Sequence, residues 1–214
     1  MNNTKQIISL AITGASGVQY GFRLLEILLQ KKCIVYLMVS KAAQVVIAME
    51  TDIKLPGHCK EMQQFLTEKY NCEIVSEQNP QLQVFGEDEW TAPTASGGGL
   101  VDAMVVCPCS MGALSAIATG ASNNLIERSV DVMLKERRKL IIVPRETPYS
   151  DIHLENMLKL SRMGVVILCA NPGFYNKAET IDDLIDFVVA KILDQLNIEH
   201  QLQPRWGNKA VNNE

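Results

Sequence analysis

Residues 128–148 read Arg-Ser-Val-Asp-Val-Met-Leu-Lys-Glu-Arg-Arg-Lys-Leu-Ile-Ile-Val-Pro-Arg-Glu-Thr-Pro. The first half carries a helical pattern. The second half, Lys139 to Val143, is a short apolar run closed by Pro144, which reads as a buried strand. Arg128 and Lys135 are seven residues apart, so a helix places both on one face. Arg145 and Glu146 follow directly after the strand. In an open parallel sheet, ligands bind at the carboxyl ends of the strands. Two cations on a helix face and an Arg-Glu pair at a strand end therefore predict a phosphate clamp with an acid or base beside it. The bland alternative is a solvated basic helix, and Arg137, Arg138 and Lys139 are read that way.

The rest of the chain repeats the strand–helix alternation. Residues 7–13 form a buried strand, Gly14 to Gly17 a tight turn, and 18–31 an amphipathic helix with Phe22, Leu25, Ile27 and Leu28 toward the sheet. A glycine turn entering a helix offers backbone N–H groups to an anion, and Ser16 adds a hydroxyl there. The later glycines of a dinucleotide fingerprint are absent. The second strand, 34–39, ends in Ser40 where a dehydrogenase carries an acid for the ribose. Ser40 suits a ligand that is itself anionic, and it also suits the N-cap of helix 41–50. Glu50 ends that helix, facing the crevice or the solvent.

A helix at 60–70 is followed by weak strand signals at 73–76 and 82–85. Glu89 to Gly99 is a loop with three consecutive glycines, and its Trp90 is a core aromatic, an interface aromatic or a pocket wall. A strand at 101–106 leads through Cys107-Pro108-Cys109 into helix 111–119, capped by Ser110. Helix 151–163, strand 165–169, a turn carrying Tyr175, and helix 180–196 carrying Lys191 close the fold. The tail from Gln201 is polar and expected to be mobile except around Arg205-Trp206-Gly207. The fold class expected is α/β, a three-layer αβα, Rossmann- or flavodoxin-like, mostly parallel sheet with helices on both faces.

Composition sets outer limits. The 214 residues suit one domain that buries roughly 70% of its unfolded surface. Hydrophobic residues make up 47% and charged residues 21%, ordinary for a soluble α/β protein. A net charge of -4 gives no reason to expect nucleic acid or an anionic membrane as partner. The first apolar run is too short to span a membrane and no cleavage site follows it, so a cytoplasmic protein is expected. The six cysteines contain no Cys-x-x-Cys pair, and Cys107-Pro108-Cys109 has no histidine near it. They read as structural thiols, and no metal site is expected. Hydroxyl residues (Ser16, Ser40, Ser110) after three different strands suit a flavin mononucleotide better than an isolated small substrate.

Several blocks together resemble the UbiX-type flavin prenyltransferases, formerly labelled 3-octaprenyl-4-hydroxybenzoate decarboxylases. They are Thr13-Gly14-Ala15-Ser16-Gly17, Ala92 to Gly97, Cys109-Ser110-Met111, Asn124 to Arg128, Val132 to Arg138, Val143 to Pro148, and Pro172 to Tyr175. The resemblance runs in order from about residue 7 to 207 and implies a single flavoprotein domain over 1–207 with a mobile tail at 208–214. It implies that a dimethylallyl group is joined to reduced FMN at N5 and C6, giving prenylated FMN for a separate UbiD-type decarboxylase, without a metal. It implies that Gly14, Ala15, Ser16, Ser40, Ser110, Met111, Gly112, Ala113 and Arg145 hold FMN. Arg128, Lys135, Glu146, Tyr175 and Lys191 would surround dimethylallyl phosphate, partly across a subunit boundary in a large homo-oligomer. Ser16 and Glu50 would move protons, Trp90 would line the prenyl site, and Lys135 and Glu146 would act on the departing phosphate and the proton lost at ring closure. The chain departs from many relatives at Gly112-Ala113, at Gly98-Gly99 and at Lys191, where arginine is frequent. Three competing readings are an FMN-dependent cysteine decarboxylase, a non-catalytic partner subunit of a decarboxylase, and a flavin-storage module. The first carries a catalytic histidine and a Pro-Ala-Ser-Ala-Asn-Thr loop, whereas this loop reads Pro93 to Gly98 and His58, His153 and His200 fall elsewhere.

Overall fold

The computed structural model describes residues 5–72 and 80–203. The expected strand at 73–76, the Arg205-Trp206-Gly207 segment and the tail 208–214 lie outside them. The described chain forms two compact units, divided after Ala170.

The first unit holds one parallel sheet. Its strands are β1 (Ile7–Ile12), β2 (Ile34–Val39), β3 (Leu82–Phe85), β4 (Ala103–Cys109), β5 (Lys139–Pro144) and β6 (Val166–Ile167). Their spatial order is β3-β2-β1-β4-β5-β6, with every neighbouring pair parallel. The helices between them are α1 (Val18–Gln30), α2 (Lys41–Glu50), α3 (Cys59–Lys69), α4 (Met111–Thr119), α5 (Leu125–Lys135) and α6 (Asp151–Arg162). Strands this apolar are buried on both faces, as a doubly wound sheet requires. Leu10, Val35, Leu37, Val105 and Ile141 are fully buried, and so are Leu25 and Leu28 of α1. Strand order reverses between β1 and β4, which places the ligand crevice at their carboxyl ends.

Three elements differ from expectation. β4 does not start at Val101 or stop at Val106, but runs from Ala103 through Cys107-Pro108 to Cys109. Proline lacks only the donor, and its carbonyl still bonds, accepting from the Thr13 N–H at 3.1 Å and the Thr13 hydroxyl at 2.9 Å. The chain before β4 is tied otherwise, by the Asp102 carboxylate accepting from the Ile7 N–H at 2.7 Å. β6 is only Val166–Ile167, shorter than the expected 165–169, though the Leu168 and Ala170 N–H groups still donate to the Ile142 and Pro144 carbonyls at 2.9 and 3.2 Å. Pro93–Ala95 forms a 3-10 turn inside the expected loop.

The second unit, from Asn171, is built on α7 (Ile181–Leu196). Thr180 and Asp183 form a capping box at its start, and Asn197 ends it in the left-handed conformation.

Candidate active site at the strand ends

The Gly14–Gly17 turn leaves β1 and enters α1 with Gly17 at the N-cap, at φ +95. That conformation favours glycine, and glycine has no side chain to cap the helix. The Glu50 carboxylate takes that place, accepting from the Gly17 N–H at 2.8 Å and the Val18 N–H at 3.4 Å. The anion expected at this helix start is thus supplied by the chain itself. Burial pushes the Glu50 carboxyl up, but hydrogen bonds from the Ser16 hydroxyl and the Gly17 and Val18 N–H groups, with the Arg145 charge, outweigh it. Its pKa lies below the ordinary glutamate value, so Glu50 is an ionised acceptor for the Ser16 hydroxyl.

Three strand ends are tied together here. Thr13, 3% exposed, donates its hydroxyl to the Pro108 carbonyl and accepts from the Ser110 N–H at 2.8 Å. Arg145 donates twice. Its backbone N–H reaches the Cys109 carbonyl at 3.3 Å and its Nε reaches the Ser16 carbonyl at 3.1 Å. The turns after β1, β4 and β5 are therefore one assembly. Gly14 packs so closely on α2 that a Cβ there would sit 2.5 Å from the Ala42 Cβ.

Ser40 and Ser110 cap α2 and α4, accepting from Ala43 N–H at 3.0 Å and Ala113 N–H at 3.3 Å. Capping uses a lone pair of each hydroxyl and leaves its O–H able to donate elsewhere. Met111, Gly112 and Ala113 form the first turn of α4, and a Cβ at Gly112 would meet open space. These groups fit FMN: two hydroxyl donors, a helix N-terminus and the terminal nitrogens of Arg145, which make no hydrogen bond among the described residues. Glu146 lies beside Arg145 and accepts from the Thr147 N–H at 3.1 Å.

The phosphate-clamp residues stand apart from this assembly. Arg128 Nε donates to the Ala95 carbonyl at 3.0 Å and Nη1 to Asp131 at 2.9 Å. Lys135 pairs with Glu136, and both lie against Gly97, where a Cβ would be 2.9 Å from Lys135 Nζ. Both cations thus face the Ala95–Gly97 loop. However, the expectation that they flank Arg145 and Glu146 does not hold within one chain. α5 runs antiparallel to β5, so Lys135 in its last turn lies near the start of β5, while Arg145 follows the end. A six-residue strand separates them by roughly 20 Å.

Arg138 corrects the solvated reading. It is half-buried, with Nη2 donating to the Gly97 carbonyl at 2.7 Å and Nη1 to Gly99 at 2.6 Å. Nothing in the basic run itself marks it, because its partners lie about forty residues upstream. Thr13 was readable in principle: a hydroxyl ending a buried apolar run needs a partner.

Trp90 is 48% exposed, which removes the core reading and leaves an interface or a pocket wall. In the second unit Tyr175 meets Phe187 edge-on at 5.5 Å, and Lys191 Nζ lies 5.7 Å from the Phe187 ring centre. A cleft of about 480 Å³ between the carboxyl ends of β2 and β3 contains none of the residues singled out from the sequence. Cys107 and Cys109 are fully buried, and burial pushes the Cys109 thiol up to about 12. Among the described residues no three His, Cys, Asp or Glu side chains converge as metal ligands.

Known proteins resemble this chain in sequence and fold. The Flavoprotein family model matches residues 1–193. Flavin prenyltransferase UbiX of Pseudomonas aeruginosa is 57% identical over 204 residues, covering 95% of each chain. The chain belongs to the UbiX flavin prenyltransferase family. A crystal structure of the UbiX protein PadA1 in complex with FMN and dimethylallyl pyrophosphate superimposes with a TM-score of 0.82 at 37% identity, covering 96% of this chain and 100% of that one. A dodecameric FMN-dependent UbiX-like decarboxylase from Escherichia coli O157:H7 gives a TM-score of 0.80 at 37% identity, over 94% and 99% of the two chains. No described helix of this UbiX family member is long and apolar enough to cross a membrane.

Proposed function

We propose that the chain joins the five-carbon group of dimethylallyl phosphate to N5 and C6 of FMN, which enters reduced, as a substrate. Prenylated FMN then leaves for a separate UbiD-type decarboxylase. The observation that carries the reading is the cross-tied trio of strand ends, which leaves the Ser40 and Ser110 hydroxyls, the α4 N-terminus and Arg145 available to one anionic flavin.

The reaction breaks the allylic carbon–oxygen bond, and the electron pair leaves with the phosphate. Arg128 and Lys135 stabilise that departing dianion by charge-assisted hydrogen bonds. Because Lys135 lies a strand's length from Arg145 in one chain, a neighbouring copy supplies it, and the enzyme works as a large homo-oligomer. Trp90, half-exposed, offers its ring to the allyl cation, a contact that contributes up to about 2 kcal/mol when desolvated. N5 gives up its proton as the carbon–nitrogen bond forms, and a proton added to the prenyl double bond makes a tertiary cation. Glu146 accepts the proton lost from C6 when C6 closes the carbon–carbon bond to that cation. The Ser16–Glu50 pair carries a proton to or from the flavin edge, with ionised Glu50 accepting. The roles given to Tyr175 and Lys191 at the phosphate rest on family membership. The reading also places the enzyme in the cytoplasm and needs no metal.

The test is anaerobic incubation with reduced FMN and dimethylallyl monophosphate, followed by mass spectrometry of the flavin. A gain of one C5 unit without phosphate is expected. An unchanged flavin mass refutes the assignment.

A further inference from the structure

The last turn of α5 ends in a way that matters for Lys135. Arg137 adopts the left-handed conformation at φ +54, a place usually held by glycine. Its N–H bonds the Leu134 carbonyl at 3.1 Å, and the Arg138 N–H reaches back to Met133 at 2.9 Å. This turn sends the Arg138 side chain back beneath the Pro93–Gly99 loop instead of into solvent.

There Arg138 holds the carbonyls of Gly97 at 2.7 Å and Gly99 at 2.6 Å, with a longer contact to Val101 at 3.4 Å. A planar guanidinium can grip several carbonyls at once, which an ammonium cannot. Thr94, only 4% exposed, has a hydroxyl without a hydrogen-bond partner among the described residues. The loop is held by Arg128 of α5 at Ala95 and by Arg138, three residues past its end, at Gly97 and Gly99. On its far side Gly97 abuts both Lys135 Nζ and the Glu136 carboxylate, with no room for a Cβ. Glu136 in turn pairs with Lys135 and feels the Arg138 charge.

We propose that Arg138 is a positioning residue for Lys135, fixing the Gly97 backbone and the Glu136 carboxylate between which the lysine ammonium is held. Arg138 touches neither flavin nor prenyl donor; it sets where the phosphate-withdrawing charge stands. The inference rests on the proposed role of Lys135 and deepens it.

The experiment compares the full-length wild type with Arg138→Ala and Arg138→Lys. Arg138→Ala is expected to raise KM for dimethylallyl phosphate about tenfold while FMN affinity stays within about twofold. Arg138→Lys, which keeps the charge but loses the fork, should recover part of that loss. Gly97→Ala should reproduce the KM effect from the other side of the contact. An unchanged KM in Arg138→Ala overturns the proposal. So does a parallel loss of FMN affinity with Arg138→Lys no better than alanine, which marks a merely structural arginine. If the wild type makes no prenylated flavin, the functional reading fails separately. Binding of inorganic phosphate followed by phosphorus NMR then decides this one: weaker binding by Arg138→Ala supports it, and equal or absent binding in both proteins overturns it.

Discussion

Two regions of the molecule use cations on backbone carbonyls for different ends. At the switch point, Arg145 and Thr13 bind strand ends that are distant in sequence, and Glu50 closes the α1 N-terminus from the end of α2. Every partner belongs to the same chain, and the central hydroxyl, Thr13, is buried. Along α5, Arg128 and Arg138 hold the Ala95–Gly99 loop, but the Lys135 side chain beside it stays 45% exposed. The first region's cross-ties are made within one chain, and its free donors fit a planar anionic ligand. The second displays a positioned charge outward. On the proposed function, a site using both regions would draw Arg145 from one copy and Lys135 from its neighbour.

The sharpest break of this contrast is chemical. Glu146→Gln keeps the size of the side chain and removes the base. Turnover to the fully prenylated product should fall by about 10²–10⁴-fold, with a flavin alkylated at N5 alone accumulating in the mass spectrum. Normal turnover removes Glu146 from the base role. The two-copy claim has its own experiment. Lys135→Ala and Glu146→Gln proteins should each be nearly inactive, yet oligomers mixed before assembly should regain up to about a quarter of wild-type sites, because random pairing reunites intact halves. No recovery on mixing means the site lies within one chain.

A smaller effect separates the regions by stability. Thr13→Val preserves shape but strands the part-buried Ser110 N–H and leaves the Pro108 carbonyl with the Thr13 N–H alone of its two Thr13 donors. The expected cost is about 1–3 kcal/mol in urea unfolding, with a weakened FMN titration. Arg138→Ala acts on half-exposed bonds and should cost less stability while disturbing the prenyl-phosphate KM more. If Thr13→Val leaves both stability and FMN binding unchanged, the strand ends are held by the backbone alone.

How much of this was legible depends on the reach of each feature. The strands could be read because each apolar run is closed by Ser, Gly or Pro within a few residues, as at Val39-Ser40 and Val143-Pro144. Caps were legible too, since Ser40 and Ser110 act on N–H groups three residues on. The end of β4 is not legible from its proline, which signals a stop by its missing donor, whereas here only its acceptor is needed. Lys135 and Arg145 looked adjacent because ten residues is a short interval in sequence. The intervening turn reverses the chain, so the strand length adds to their distance. Arg138 could not be read at all: a basic run is solvated or buried according to a loop forty residues away. The blocks that matched the UbiX family carried the function, while the spacing of charges alone carried only the idea of a phosphate site.

The gentlest test concerns Glu50, the one acid whose native environment lowers its pKa within the first region's cross-ties. A carboxyl depressed in the folded state contributes stability that is fully present above its ordinary value of 4.5 and is lost as pH falls through the lower native one. Glu50 is half-exposed, so solvent screens its hydrogen bonds and the contribution is small, roughly 0.5 kcal/mol. Unfolding free energies of wild type and Glu50→Gln should therefore diverge at neutral pH and converge as pH drops from about 5 toward 3. Glutamine can still accept from the Gly17 N–H but brings no charge to the α1 N-terminus. If the two curves stay parallel across that range, the carboxylate is not ionised against the helix. The expectation that Ser16 hands its proton to a waiting anion then loses its physical basis, and Ser16 would be left as a turn residue whose carbonyl serves Arg145.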